Sequence, residues 1–155
     1  QLNLGDVNRR RMTDDGVPDV DEALACIQRA LEVLTPDVSP LLWSKAQHSM
    51  GLTYEERVVR KTSNLDKAVA CYRRALTVRT RETVPEWWAS STWRMLLALQ
   101  CSEQWAEALE KARALQAFGR KWKRWDEFEA SLATRVTELE REVARSPGVS
   151  AIHEP

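Results

Sequence analysis

The chain has 155 residues, 43% of them hydrophobic, with 23 basic and 23 acidic side chains and a formal net charge of zero. That length supplies one domain with a core of its own. The charge balance argues against a dedicated nucleic-acid binder, which carries a basic excess, and no apolar run approaches the roughly 18 residues of a membrane span.

Only 5 Gly and 6 Pro occur, and most of them sit at joints. Between them the apolar spacing is helical, and no segment sustains a period of two, so the chain reads as all-α. The first predicted helix covers residues 1–14. Leu4-Gly5 falls on Met50-Gly51 when Gln1–Val20 is laid on Gln47–Leu65, so residue 1 is expected to lie inside a helix of an earlier unit. Gly16 and Pro18 separate this helix from a second at 20–35, capped by Asp19, where Ala23, Ile27, Ala30, Leu31 and Leu34 recur at three and four. Pro36 and Pro40 bracket a break before a third helix at 40–60. A fourth is predicted at 64–82 behind Asn64, carrying Ala68, Val69, Tyr72, Ala75, Leu76 and Val78. Pro40 and Pro85 suit first-turn positions, where a missing N–H costs nothing, and Pro85 opens a fifth helix at 85–101. A sixth follows at 104–118 and a seventh at 122–145, ended by Ser146-Pro147-Gly148. Residues 147–155 are expected to be a disordered tail.

The chain repeats itself. Shifting Asp21–Leu52 by 45 residues onto Asp66–Leu97 gives 13 identities in 32 positions, against about two expected from composition. Matched pairs include Ala23/Ala68, Cys26/Cys71, Ala30/Ala75, Thr35/Thr80, Pro40/Pro85, Trp43/Trp88 and Met50/Met95. Cys26 and Cys71 fall on alanine-rich faces and are expected to be reduced, buried thiols, which points to the cytoplasm. Read as helix pairs, the pattern is Gly51, Tyr54, Ala68, Tyr72, Ala75: small and aromatic, then Ala, aromatic, Ala. The earlier unit has Gly5, Ala23, Ile27 and Ala30, and a third has Leu96, Leu99, Ala108, Ala112 and Leu115.

This pattern resembles the tetratricopeptide (TPR) repeat family. Gly51 to Ala68 spans 17 residues, longer than in the usual unit of roughly 34. The spacing is similar to long-period bacterial repeats found in multidomain proteins with caspase-like (CHAT) protease domains. The resemblance implies an α-solenoid of antiparallel helix pairs over residues 1–120, the first unit truncated. Residues 121–146 would then form a capping helix with the stripe Trp122, Trp125, Phe128, Leu132, Val136, Leu139 and Val143.

The family lines its inner groove with the first helix of each pair. Counted from Gly51, the implied partner-binding residues are Lys45, His48, Leu52, Glu55 and Glu56, then Ser90, Trp93, Leu97 and Gln100, with Arg9 and Arg10 in the truncated unit. Only Asn3 and Lys45 fit the family's clamp for a terminal carboxylate, so a mixed apolar and charged groove for a protein or peptide segment is the better expectation. Trp87 and Trp93 break the repeat, since Leu42 and His48 stand in their places, which marks Trp93 for ligand contact.

The function expected is therefore protein–protein interaction, as a scaffold, adaptor or regulatory arm of a larger protein. One alternative is self-association into a homo-oligomer through the Trp122–Val143 stripe or through the open N-terminal face. Another is nucleic-acid contact by Arg120-Lys121-Trp122-Lys123-Arg124-Trp125, disfavoured by the acids that follow. Catalysis is not expected. The chain has 2 His and 3 Cys, scattered without a nucleophile–base signature, metal-ligand spacing or a glycine-rich phosphate loop, so no cofactor is implied.

Overall fold

The computed structural model describes residues 19–59 and 64–146. Within them lie six α-helices and no strand: α1 (Val20–Val33), α2 (Pro40–Val59), α3 (Leu65–Leu76), α4 (Pro85–Cys101), α5 (Trp105–Phe118) and α6 (Trp125–Arg145). The chain is all-α over these residues. The helix expected at 1–14, the tail at 147–155, Arg9 and Arg10 lie outside the described residues.

Local chemistry accounts for the helix ends. The Glu22 N–H donates to Asp19 Oδ1 at 2.9 Å, satisfying one orphan donor of α1. Beyond α1 and α3 the two units close the same turn with equivalent atoms. Leu34 N donates to the Ala30 carbonyl at 2.9 Å, and Arg79 N, 45 residues on, donates to Ala75 at 3.0 Å. The hydroxyls of Thr35 and Thr80 accept from Val38 N at 3.2 Å and Thr83 N at 3.1 Å. Ser39 N and Val84 N then return to the Thr35 and Thr80 carbonyls at 3.0 and 3.1 Å. Pro40 and Pro85 start α2 and α4 immediately afterwards. The repeat is thus physical as well as textual.

The fourth predicted helix overshoots. It stops at Leu76 because Thr77 Oγ1 donates to the Arg74 carbonyl at 2.7 Å, and Val78 N and Arg79 N both close on Ala75. A run of Thr and Val offers the backbone these local partners and gains little from helix. The last helix begins at Trp125 rather than residue 122. A 3-10 turn, Gly119–Lys121, intervenes, and Gly119 takes a φ of +52° that ends α5.

Each helix packs chiefly on its sequence neighbours. A small apolar cluster joins α1, α2 and α3 through Val20, Leu24, Ile27, Ala46, Met50 and Cys71. A larger one runs from Ala68, Val69 and Tyr72 through Met95, Leu96 and Leu99 to Ala112, Leu115, Trp122, Leu132 and Leu139. Ala68 and Ala75 are both 0% exposed. Gly51 lies against the Tyr72 ring. Of the thiols, Cys71 is buried, Cys26 half-buried and Cys101 exposed; Cys26 is less enclosed than its repeat position suggested. The α6 stripe is spent within the chain. Leu132 and Leu139 are buried, and Trp125, Phe128, Val136 and Val143 pack on the larger cluster.

Candidate functional site

Lys45, His48, Ser49 and Leu52 step along one face of α2 at intervals of three and four, and so share a surface. Trp87 and Ser90, three apart on α4, face them. The turn after α3 adds Arg79. These seven residues line one open cleft of about 390 Å³.

Arg79 forms the floor. It is 4% exposed, and its Nε and Nη1 donate to Ser44 Oγ at 3.3 Å and Ser91 Oγ at 2.8 Å. Ser44 in turn donates to the Leu41 carbonyl at 2.8 Å, and Ser91 Oγ lies 3.0 Å from His48 Nδ1. The guanidinium carbon lies 5.0 Å from the centre of the Trp87 ring. Arg81 stacks similarly on Trp88 at 4.5 Å, so the tandem tryptophans each carry an arginine. Burial pulls the Arg79 pKa down to about 10, which still leaves the group charged at neutral pH. Trp87 is 40% exposed, unusual for so large an apolar side chain.

Four of the residues expected from the sequence meet here: Lys45, His48, Leu52 and Ser90. The others do not line this cleft. Glu55 sits further along α2, its Oε2 3.4 Å from Arg94 Nη1, and burial raises its carboxyl above the ordinary range. Glu56 keeps one carboxylate oxygen buried without a hydrogen bond. Trp93 is half-buried. It packs on Phe128 with ring centres 4.5 Å apart and on Trp122 at 6.3 Å, while Arg135 lies over it at 5.4 Å. Arg135 also donates to Gln100 Oε1 at 2.7 Å. Side chains of α6 thus reach the face of α4 that carries Trp93 and Gln100, which like Leu97 are half-buried.

The basic–aromatic stretch offers no row of rings to stack on bases. Trp122 is 1% exposed and lies parallel to Phe128, within 3° at 4.6 Å. Nor does the Ser91–His48 contact form a nucleophile pair: Ser91 is fully buried and its oxygen accepts from Arg79. Among the described residues no group of three or more His, Cys, Asp or Glu is placed to hold a metal ion. No described helix is long and apolar enough to cross a membrane.

Arg79 was missed from the sequence because the predicted fourth helix ran through it. One signal was present: the 45-residue shift puts Arg79 on Leu34 and Trp87 on Leu42. Both are places where the second unit departs from the first. Neither a family model, nor a curated protein, nor a solved structure matches this chain.

Proposed function

We propose that the chain is a stack of TPR-like antiparallel helix pairs, closed by α6, whose cleft between α2 and α4 binds a segment of a protein partner. It would serve as a scaffold, adaptor or regulatory arm. The observation that carries this reading is the convergence of residues 45–52 with Arg79, Trp87 and Ser90 on one open, mixed apolar and charged cleft. Half-exposed Trp beside Arg is the composition that dominates binding energy at protein interfaces. The self-association alternative loses its main feature, because the α6 stripe packs on the chain's own core.

The test is selection of a random peptide library on the immobilised full chain, followed by affinity measurement with the enriched peptides. Trp87→Ala is expected to weaken them roughly tenfold or more, with the melting temperature nearly unchanged. Failure to enrich any sequence, or equal affinity for the variant, would end the reading.

A further inference from the structure

Arg79 is too buried for an ordinary surface arginine and too poorly neutralised for a structural one. No Asp or Glu pairs with it among the described residues, and none lines the cleft. Its two hydrogen bonds go to uncharged serines, and Nη2 donates to no described group. A guanidinium carries five N–H donors, so most of its capacity is unspent. Both serines are tied elsewhere, Ser44 to the Leu41 carbonyl and Ser91 to His48, which fixes the arginine without cancelling its charge. The Trp87 ring centre lies 5.0 Å from the guanidinium carbon, and the donors left for an acceptor are those of Nη2 and the second N–H of Nη1. Lys45 brings a second positive charge to the same cleft. Among the described residues that line it, the cleft holds Arg79 and Lys45 and no acid.

Buried charges are ordinarily paired, because desolvation without a counter-charge is costly. The missing partner is then supplied from outside. We infer, resting on the peptide-binding reading above, that Arg79 receives the side-chain carboxylate of an Asp or Glu in the bound segment, with Lys45 as an auxiliary charge. With its one Nε–H spent on Ser44, the guanidinium offers a planar carboxylate its Nη1–Nη2 end, which can match it two bonds to two. A phosphate, with nearly twice the charge, calls for more cations or a nest of backbone N–H groups. A side chain can reach a floor on which a main-chain terminus would need its own set of donors. Leu52 and Trp87 form apolar walls beside the charge, so the segment recognised is an acidic residue flanked by apolar ones.

The experiment uses the full chain with the Arg79 Nε–H and Trp87 indole N–H resonances as reporters. Sodium acetate, titrated against sodium chloride at fixed ionic strength, is expected to shift both saturably, whereas chloride leaves them in place. Peptides enriched from the library are expected to contain Asp or Glu, and changing that residue to Gln or Asn is expected to weaken binding about tenfold or more. Arg79→Met keeps the aliphatic stem and removes the charge. It is expected to bind the acidic and amide peptides equally, with a melting temperature no lower than that of the parent chain. The peptide substitution is made against the unaltered protein, so the answer stands even if Arg79→Met folds poorly.

Four results overturn the inference. Peptides that depend on Trp87 but tolerate Glu→Gln would leave the peptide site standing and remove the carboxylate assignment. Binding that requires a free peptide C-terminus, or inorganic phosphate shifting Arg79 at lower concentration than acetate, would identify another source of the anion. Acetate shifts without any enriched peptide would reduce the cleft to a small-anion site and remove the peptide reading itself.

Discussion

At Gly51 the absence of a side chain is a packing requirement. A Cβ there would lie 2.6 Å from Tyr72 Cε1 and 2.8 Å from Cζ, in the middle of a fully buried ring. Alanine favours helix over glycine by about 1 kcal/mol, but overpacking a core costs about 1–3 kcal/mol, so Gly51→Ala is expected to lower stability in denaturant titration. Combining it with Tyr72→Ile, the residue standing at position 27, should recover part of the loss; additive losses would show that the ring is not the obstacle. Glu55 illustrates the opposite case, a charge where a neutral group would sit better. Its carboxyl pKa is raised above 4.5, chiefly by burial and against the opposing pull of Arg94. The folded chain therefore holds this proton more tightly than the unfolded one. Its contribution is fully present below about 4.5 and declines as pH rises through the folded value. Glu55→Gln is expected to raise neutral-pH stability relative to the parent and to flatten the fall above 4.5; an unchanged pH profile would refute the burial argument. The small position at Gly51 was legible because small and aromatic residues recur together in the sequence. Arg79 was not, since its inward course depends on α3 ending at Leu76, a choice made by Thr77 and its neighbours.

Among the elements, the turns before α2 and α4 explain an identity that apolar periodicity does not. Thr35 and Thr80 are repeated because their hydroxyls receive equivalent backbone donors. Thr80 has an additional contact, 3.0 Å from Thr83 Oγ1, which itself donates to the Val78 carbonyl. Thr80→Val preserves shape and removes the two bonds of the Thr80 hydroxyl to Thr83, at an expected cost of about 1 kcal/mol. This turn also presents Arg79 to the cleft, so the same variant should weaken acidic peptides more than Thr35→Val does, as read by paired melting and binding curves. The last helix shows where sequence reasoning stopped. Its apolar stripe was visible from spacing alone, but what the stripe covers depends on how α6 lies across α4. Trp93, 35 positions from its neighbour Phe128, could not be assigned to that contact from periodicity. Since Trp93 packs under α6, Trp93→Ala is expected to destabilise by about 2–4 kcal/mol. Its effect should be less than additive with Phe128→Ala, because each variant empties the same contact. A cost near zero would return Trp93 to the surface.

For the whole molecule, the order of helices in space follows their order in the chain, and the apolar interior is divided unequally. Among the described residues the cluster holding α1 contains six buried residues, whereas the one spanning α3 to α6 contains sixteen. When the main contacts are between neighbours, stability adds up locally and openings start where the local sum is smallest. Among the described residues that is α1, whose hold on α2 and α3 depends on Val20, Leu24 and Ile27. The cleft lies between α2 and α4, next to this weaker end, so losing α1 should loosen the α2 wall before it disturbs α4. Ile27→Ala, with an expected loss of about 2–4 kcal/mol in its cluster, makes the point testable. Native-state hydrogen exchange should show faster exchange through α1 and the adjoining part of α2, with α4 and α5 protected as in the parent chain. Peptide affinity should fall through the Lys45–Leu52 side alone, leaving the Trp87 indole resonance of the free protein unmoved. A uniform rise in exchange across all six helices would mean that the two clusters open as one, and the cleft would then be only as stable as the whole chain.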